Sequence, residues 1–94
     1  MQDFYSEARA LHEKVKYEEA IKLYEQGIAS GDEKCWYGYA IFLENGYGID
    51  KDYDRAMDIL REHYQAILAL AESGDAAAMR IIGFCYYNKW NSWF

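Results

Sequence analysis

Two segments of the chain copy one another at a fixed distance. The stretch SGDEKCWYGYAIFLEN runs from Ser30 to Asn45, and SGDAAAMRIIGFCYYN runs from Ser73 to Asn88, 43 residues further on. Both begin with Ser-Gly-Asp, which is typical of a glycine that ends one helix and an aspartate that begins the next. Because a repeated sequence unit predicts a repeated architecture, this copy constrains the fold more than any other feature.

Apolar residues recur at helical spacing along most of the chain, which contains no proline. The spacing predicts a helix around Phe4 to Leu11, a second around Tyr17 to Ile28, a third from about Glu33 to Glu44, a fourth from Asp52 to Ser73, and a fifth around Ala78 to Tyr86. No alternating run rich in Val, Ile and Thr indicates a strand. We therefore predict an all-α fold.

The two copies are preceded by helices of different length. From Ala20 to Gly31 the chain runs 11 residues, whereas from Ala56 to Gly74 it runs 18, so the fourth helix is about two turns longer and should continue past Gln65. Without this extension the unit has about 36 residues and two helices, which is typical of α-solenoids. We predict a short right-handed solenoid of about five antiparallel helices, two hairpins plus a C-terminal helix. In the two extra turns of the fourth helix, the apolar stripe would continue through Ala66, Ile67, Leu70 and Ala71.

The repeated segments also carry a family resemblance. The residues Gly31-Asp32, Cys35, Tyr39-Ala40, Leu43, Gly46-Tyr47-Gly48-Ile49, Asp52-Tyr53 and Ala56 resemble a Sel1-like repeat, a relative of the tetratricopeptide repeat. The residues Gly74-Asp75, Ala78, Ile82-Gly83 and Tyr86 resemble the first half of another. The resemblance implies one repeat domain over residues 1–94, with units of about 3–31, 32–74 and, in part, 75–94.

In such repeats, ligands usually lie on the concave surface formed by the first helix of each hairpin. The resemblance thus implies a groove of ten residues: Tyr5, Arg9, His12, Lys34, Tyr37, Ile41, Glu44, Arg80, Phe84 and Tyr87. In the alternative, Ile41 and Phe84 pack between helices and only the polar members are exposed. The C-terminal aromatics Trp90, Trp93 and Phe94 would either cover the end of the stack or form a patch that binds another chain, such as a second copy in a homodimer.

Composition and charge limit the classes of partner that we expect the chain to bind. Ten basic and sixteen acidic residues give a net charge of -6, which disfavours nucleic acid and anionic lipid. The sequence has no apolar run of about 18 residues, the length that would predict a membrane span, and the N-terminus lacks the pattern of a signal peptide. We expect a cytoplasmic adaptor that binds a protein or peptide. The alternative is a small acidic inhibitor, such as an immunity or antitoxin protein, that blocks a basic toxin or nuclease.

Motifs of chemical interest have simpler interpretations. Asp50, Asp52, Asp54 and Asp58 match places in a calcium loop, but Arg55 and Arg61 stand where that loop needs a turn glycine and a bidentate glutamate. We therefore expect Asp52 and Asp54 to start a helix. Gly46-Tyr47-Gly48 lacks the partners of a phosphate loop and predicts a turn.

The remaining residues with chemical potential show no catalytic arrangement. His12 and His63 are expected at the surface, and Cys35 and Cys85 are expected as buried free thiols, since neither pair has the spacing of a triad or a zinc site. The sequence predicts no enzyme activity, no metal and no cofactor.

Overall fold

The computed structural model describes residues 2–87, which form five α-helices. Helix α1 spans Phe4–Glu13, α2 Tyr17–Ala29, α3 Glu33–Asn45, α4 Tyr53–Glu72 and α5 Ala76–Tyr87. Within this range there is no strand, so the prediction of an all-α fold is confirmed. The predicted aromatic end, Trp90, Trp93 and Phe94, lies outside the described residues.

Aspartate side chains begin four of these helices. In each case a carboxylate oxygen accepts a hydrogen bond of 3.0 or 3.1 Å from a backbone N–H two or three residues later: Asp3 from Ser6, Asp32 from Lys34, Asp52 from Arg55 and Asp75 from Ala78. These bonds satisfy donors that the first helical turn leaves unpaired. The expectation that Asp52 starts a helix is confirmed, whereas α2 begins without a side-chain cap.

One backbone hydrogen bond closes α1, α2, α3 and α4 alike. An N–H donates over 2.9 to 3.1 Å to the carbonyl five residues earlier: Lys16 to Leu11, Asp32 to Gly27, Tyr47 to Phe42 and Asp75 to Leu70. The residue before each donor has a left-handed backbone, with φ of 62° at Val15, 93° at Gly31, 73° at Gly46 and 102° at Gly74. This is the Schellman motif, in which glycine is the usual residue. Only Val15 departs from that preference.

The two Ser-Gly-Asp segments share further local structure. The Ser30 hydroxyl donates to the Gly27 carbonyl at 2.8 Å, and the Ser73 hydroxyl donates to the Leu70 carbonyl at 2.7 Å. Each segment thus closes one helix through its serine and glycine and begins the next through its aspartate. The two segments are therefore alike in their hydrogen bonds as well as in their sequence.

Helix α3 lies at the centre of the packing and contacts each of the other four helices. The main core cluster takes residues from all five helices, and Tyr24, Phe42 and Ile81 are among its fully buried side chains. A second cluster joins α3 to α4 around Leu43. Ile49, in the loop before α4, packs against both clusters. The packing is consistent with a helical bundle.

The length of α4 agrees with the sequence. It has 20 residues against 13 in α2 and runs through Gln65 without a break. Ile67 is buried, and Leu70 and Ala71 are half-buried, but Ala66 is exposed, so its place in the predicted apolar stripe is wrong. None of the helices described, α4 included, combines the length and the hydropathy needed to cross a membrane.

Candidate binding site

A cleft of about 310 Å³ opens between α1, α3 and α5. Nine residues line it: Tyr5, Arg9, His12, Tyr24, Tyr37, Gly38, Ile41, Glu44 and Phe84. Five of the nine are aromatic or aliphatic, or six if His12 is counted with the rings. The volume lies at the lower end of the range of about 300 to 1,000 Å³ that is usual for ligand pockets.

Helical spacing produces the walls of this cleft. The two walls use the same steps of four and then three residues: Tyr5, Arg9 and His12 along α1, and Tyr37, Ile41 and Glu44 along α3. Residues spaced in this way share one face of a helix. With Phe84 of α5, seven of the ten groove residues predicted from the sequence come together here. Ile41 is half-buried and Phe84 is 52% exposed, so Phe84 is not packed away between helices.

The floor of the cleft is a tyrosine from α2. Tyr24 is only 1% exposed, yet its side chain reaches the cleft. A Cβ atom at position 38 would overlap the Tyr24 ring, so Gly38 is what lets the ring lie against α3. The sequence prediction includes neither residue. A glycine in the middle of α3 is the signal that could have indicated such a close approach.

Burial moves two titratable side chains of the cleft toward their neutral forms. It lowers the pKa of His12, and the positive charge of Arg9 lowers that pKa further. It raises the pKa of Glu44, against the opposing charge of Lys51. Because loss of water is the first cause of both shifts, this part of the cleft disfavours charge.

His12 is held in place by aromatic rings. Its ring centroid lies 5.0 Å from that of Phe42, 5.6 Å from Tyr47 and 5.8 Å from Tyr17. Tyr17 and Tyr47 stack on each other at 4.4 Å with an angle of 13° between their planes. These contacts join the last turn of α1 to the start of α2 and to the loop after α3, which fixes one end of the cleft.

Tyr5 connects the cleft to the cationic residues of its rim. Burial raises the pKa of Tyr5, while a hydrogen bond with Arg9 and the charge of that guanidinium act in the opposite direction. Arg9 also forms an exposed ion pair with Glu13 at 3.5 Å. The phenol and the guanidinium therefore form a polar edge beside an apolar interior.

Lys34 is a predicted groove residue that the structure places elsewhere. Its Nζ pairs with Asp75 Oδ2 at 3.0 Å and lies 5.9 Å from the centroid of the Tyr5 ring. Burial would lower the pKa of Lys34, but the hydrogen bond from Lys34 to Asp75 and nearby carboxylates raise it. Lys34 thus links the first turn of α3 to the residue that begins α5.

Arg80 and Tyr87 line two shallower depressions next to the cleft. The first is formed by Tyr5, Ser6, Arg9, Ala10, Glu13 and Arg80, and the second by Arg80, Gly83, Phe84 and Tyr87. The first shares Tyr5 and Arg9 with the cleft, and the second shares Phe84. Nine of the ten predicted residues therefore belong to one continuous surface.

Three other reactive side chains do not line this surface. Burial raises the pKa of Cys35 to about 12 and that of Cys85 to about 11, so both remain thiols at neutral pH. His63 Nδ1 lies 2.7 Å from Glu33 Oε2, and its ring stacks on Trp36 at 4.4 Å. With 18% of its side chain exposed, His63 is not the surface residue we expected. Among residues 2–87 no three His, Cys, Asp or Glu side chains come together as a metal site.

Comparisons with protein-family models, with curated proteins and with solved structures give no match to this chain. The resemblance to Sel1-like repeats therefore stays a prediction.

Proposed function

We propose that this protein is a non-catalytic interaction module, an adaptor that holds a peptide segment of a partner protein in the cleft between α1, α3 and α5. The observation that carries the proposal is the composition of the cleft, in which tyrosines, Ile41 and Phe84 surround a space that disfavours charge. Tyrosine and arginine contribute most of the binding energy at many protein interfaces, because they combine a large contact area with directional hydrogen bonds.

The finer architecture is part of the same proposal. A right-handed solenoid of antiparallel helices, related to Sel1-like repeats, would put α1, α3 and α5 side by side on its concave surface. The matching hydrogen bonds of the two Ser-Gly-Asp segments support a repeated unit. The contacts of α3 with both α1 and α5 support a common surface. A module of this kind would act in the cytoplasm, away from membranes and nucleic acid.

A selection from a randomised peptide display library tests the proposal. The full chain should enrich peptides that carry aromatic or aliphatic residues. Phe84→Ala and Ile41→Ala should each weaken binding of an enriched peptide about tenfold, as expected for residues at the centre of an interface. Fluorescence anisotropy with the labelled peptide measures the change.

Met79→Ala is the matched control for Phe84→Ala. Met79 lies on the same helix and is 49% exposed, against 52% for Phe84, but it does not line the cleft. Its removal should leave peptide binding unchanged, and circular dichroism should show that all the variants fold. If no peptide is enriched, or if Met79→Ala weakens binding as much as Phe84→Ala does, the cleft is not the binding site.

A second candidate, the acidic inhibitor, is favoured by one observation. Exposed carboxylates concentrate on α2 and on α4 with its preceding loop: Glu18, Glu19, Glu25, Asp50, Asp52, Asp54, Asp58, Glu62 and Glu72. A basic partner would bind these carboxylates and not the cleft. Its capture from the native cell should then fail when Asp54, Asp58 and Glu62 are replaced by lysine, and should persist in Phe84→Ala. The adaptor proposal expects the reverse.

Self-association through Trp90 and Trp93 also stays a prediction. Analytical ultracentrifugation of the full chain should show a concentration-dependent dimer, and replacing both tryptophans by serine should abolish it. A single monomeric species at high concentration would remove the homodimer from consideration.

A further inference from the structure

The rim of the cleft has a charge opposite to that of the molecule. The chain carries a net charge of -6, yet the depression beside Tyr5 is lined by two arginines, Arg9 and Arg80, against one glutamate, Glu13. A local cationic surface on an acidic protein attracts anions and repels other cations over the last few ångströms of approach.

The two guanidinium groups have capacity for a further partner. Among residues 2–87, Arg80 forms no ion pair. Arg9 pairs with Glu13 at 3.5 Å, but the side chains are 39% and 71% exposed, so water competes for this contact. A guanidinium presents five N–H donors, and in Arg9 the exposed pair with Glu13 and the hydrogen bond with Tyr5 leave donors for a further partner.

The apolar part of the surface adjoins these arginines directly. Arg9 lines both the depression and the cleft, and Arg80 lines both the depression and the neighbouring surface formed with Phe84. Glu44 lines the cleft and neither depression. An anion is therefore favoured beside Arg9 and Arg80 and disfavoured toward Glu44, which gives a bound segment a defined orientation.

We propose that the occupant of this surface is an internal peptide segment in which an Asp or Glu side chain contacts Arg9 and Arg80, and a neighbouring aromatic or aliphatic side chain enters the cleft. This inference rests on the proposed function. A carboxylate matches the planar fork of a guanidinium, and such charge-assisted hydrogen bonds are stronger than those between neutral groups. The apolar neighbour meets the part of the cleft that disfavours charge.

The test uses a library whose randomised positions are flanked on both sides, so that no free chain end lies near them. The full wild-type chain should enrich Asp or Glu next to an aromatic or aliphatic residue. Arg80→Glu should lose this enrichment, and the double variant Arg9→Glu with Arg80→Glu should favour Lys or Arg at that position.

Arg55→Glu is the matched control, because it makes the same change in net charge at an exposed residue on α4, outside the three surfaces described. It should select the same peptides as the wild type. For one selected peptide, changing its acidic residue to the amide should weaken binding about fivefold to the wild type and to Arg55→Glu. The same change should have little effect on binding to Arg80→Glu.

The outcomes separate this inference from the proposed function. Enrichment of apolar peptides without an acidic preference would overturn the acidic occupant and leave the peptide-binding cleft standing. Equal selection by Arg80→Glu and Arg55→Glu would overturn it in the same way. Enrichment only in a second library with free C-terminal ends would assign the carboxylate to a chain terminus, and no enrichment in any library would overturn both proposals.

Discussion

The turn at Val15 and the turn at Gly31 have the same backbone structure and different sequences. In both, a left-handed residue is followed by an N–H that donates at 2.9 Å to the carbonyl five residues earlier. Ser-Gly-Asp supplies the second turn with a serine bond, a glycine and a helix cap, whereas Lys-Val-Lys supplies the first with none of these. The same turn therefore forms both with these local residues and without them.

Tertiary packing accounts for the turn that lacks the local residues. A non-glycine residue in the left-handed region costs roughly 1–2 kcal/mol, and Val15 is 66% exposed, so its own burial does not offset that cost. The residues on either side are well packed: His12 and Tyr17 contact each other and Phe42. The aromatic contacts fix where α1 ends and α2 begins, and Val15 has to adopt the connecting conformation.

Gly46→Val should have the largest effect on stability. At φ of 73°, a Cβ there would lie 3.2 Å from Lys51 Cβ and 3.6 Å from the Ile49 carbonyl oxygen. The backbone strain and this crowding should together lower the free energy of unfolding by about 3 kcal/mol. Urea denaturation followed by circular dichroism measures it.

Gly31→Val separates backbone strain from crowding, because a Cβ at Gly31 would meet nothing within 4 Å. It should lower the free energy of unfolding by about 1–2 kcal/mol, from backbone strain alone. Equal losses at positions 31 and 46 would show that crowding near Lys51 has no effect.

Val15→Gly should change stability in the other direction. Glycine adopts the left-handed conformation freely, but it also has more conformational freedom in the unfolded chain, which offsets roughly 0.5–1 kcal/mol of the gain. We expect a net increase in the free energy of unfolding of about 0.5–1 kcal/mol, seen as a higher urea midpoint. Val15→Ala keeps the strain and should give little or none of that increase. A loss of stability in Val15→Gly would mean that the turn is not strained.

Asp75→Asn should have the smallest effect and should depend on pH. The backbone N–H of Ala78, followed by the bond from Lys34, holds the pKa of Asp75 below its usual value. A depressed folded pKa stabilises the protein above the unfolded pKa of about 3.9, and this stabilisation is lost as the pH falls through the folded pKa. Asparagine keeps the helix cap, so the variant should lose roughly 0.5 kcal/mol at pH 6 and progressively less below pH 4.

Asp32→Asn tests the helix cap without the ion pair. Asp32 begins α3 as Asp75 begins α5, but within residues 2–87 the ion pair of Lys34 is with Asp75. The urea midpoint at pH 6 should fall less for Asp32→Asn than for Asp75→Asn, and the difference between Asp75→Asn and the wild type should shrink at pH 3. A constant difference at position 75 would mean that the charge of Asp75 does not stabilise the fold.

The elements that the sequence predicts well are those with a local cause. The ends of α2, α3 and α4 follow from Gly31, Gly46 and Gly74, and helical spacing places seven predicted residues around the cleft. The spacing also predicts a break between α1 and α2, but the left-handed backbone of Val15 could not be predicted, because its cause is packing between residues distant in sequence. The ion pair of Lys34 could not be predicted for the same reason, because its partner, Asp75, is 41 residues away.

The depth of the cleft depends on a side chain that α3 does not have. Because Gly38 presents no Cβ, the floor is formed by Tyr24, whose ring also contacts Tyr5 and Phe42 within the core. The same ring is therefore part of both the hydrophobic core and the recognition surface. Substitutions beneath α3, out of reach of any ligand, could thus alter which side chains the cleft accepts, so its specificity can evolve from the interior without any change at the rim.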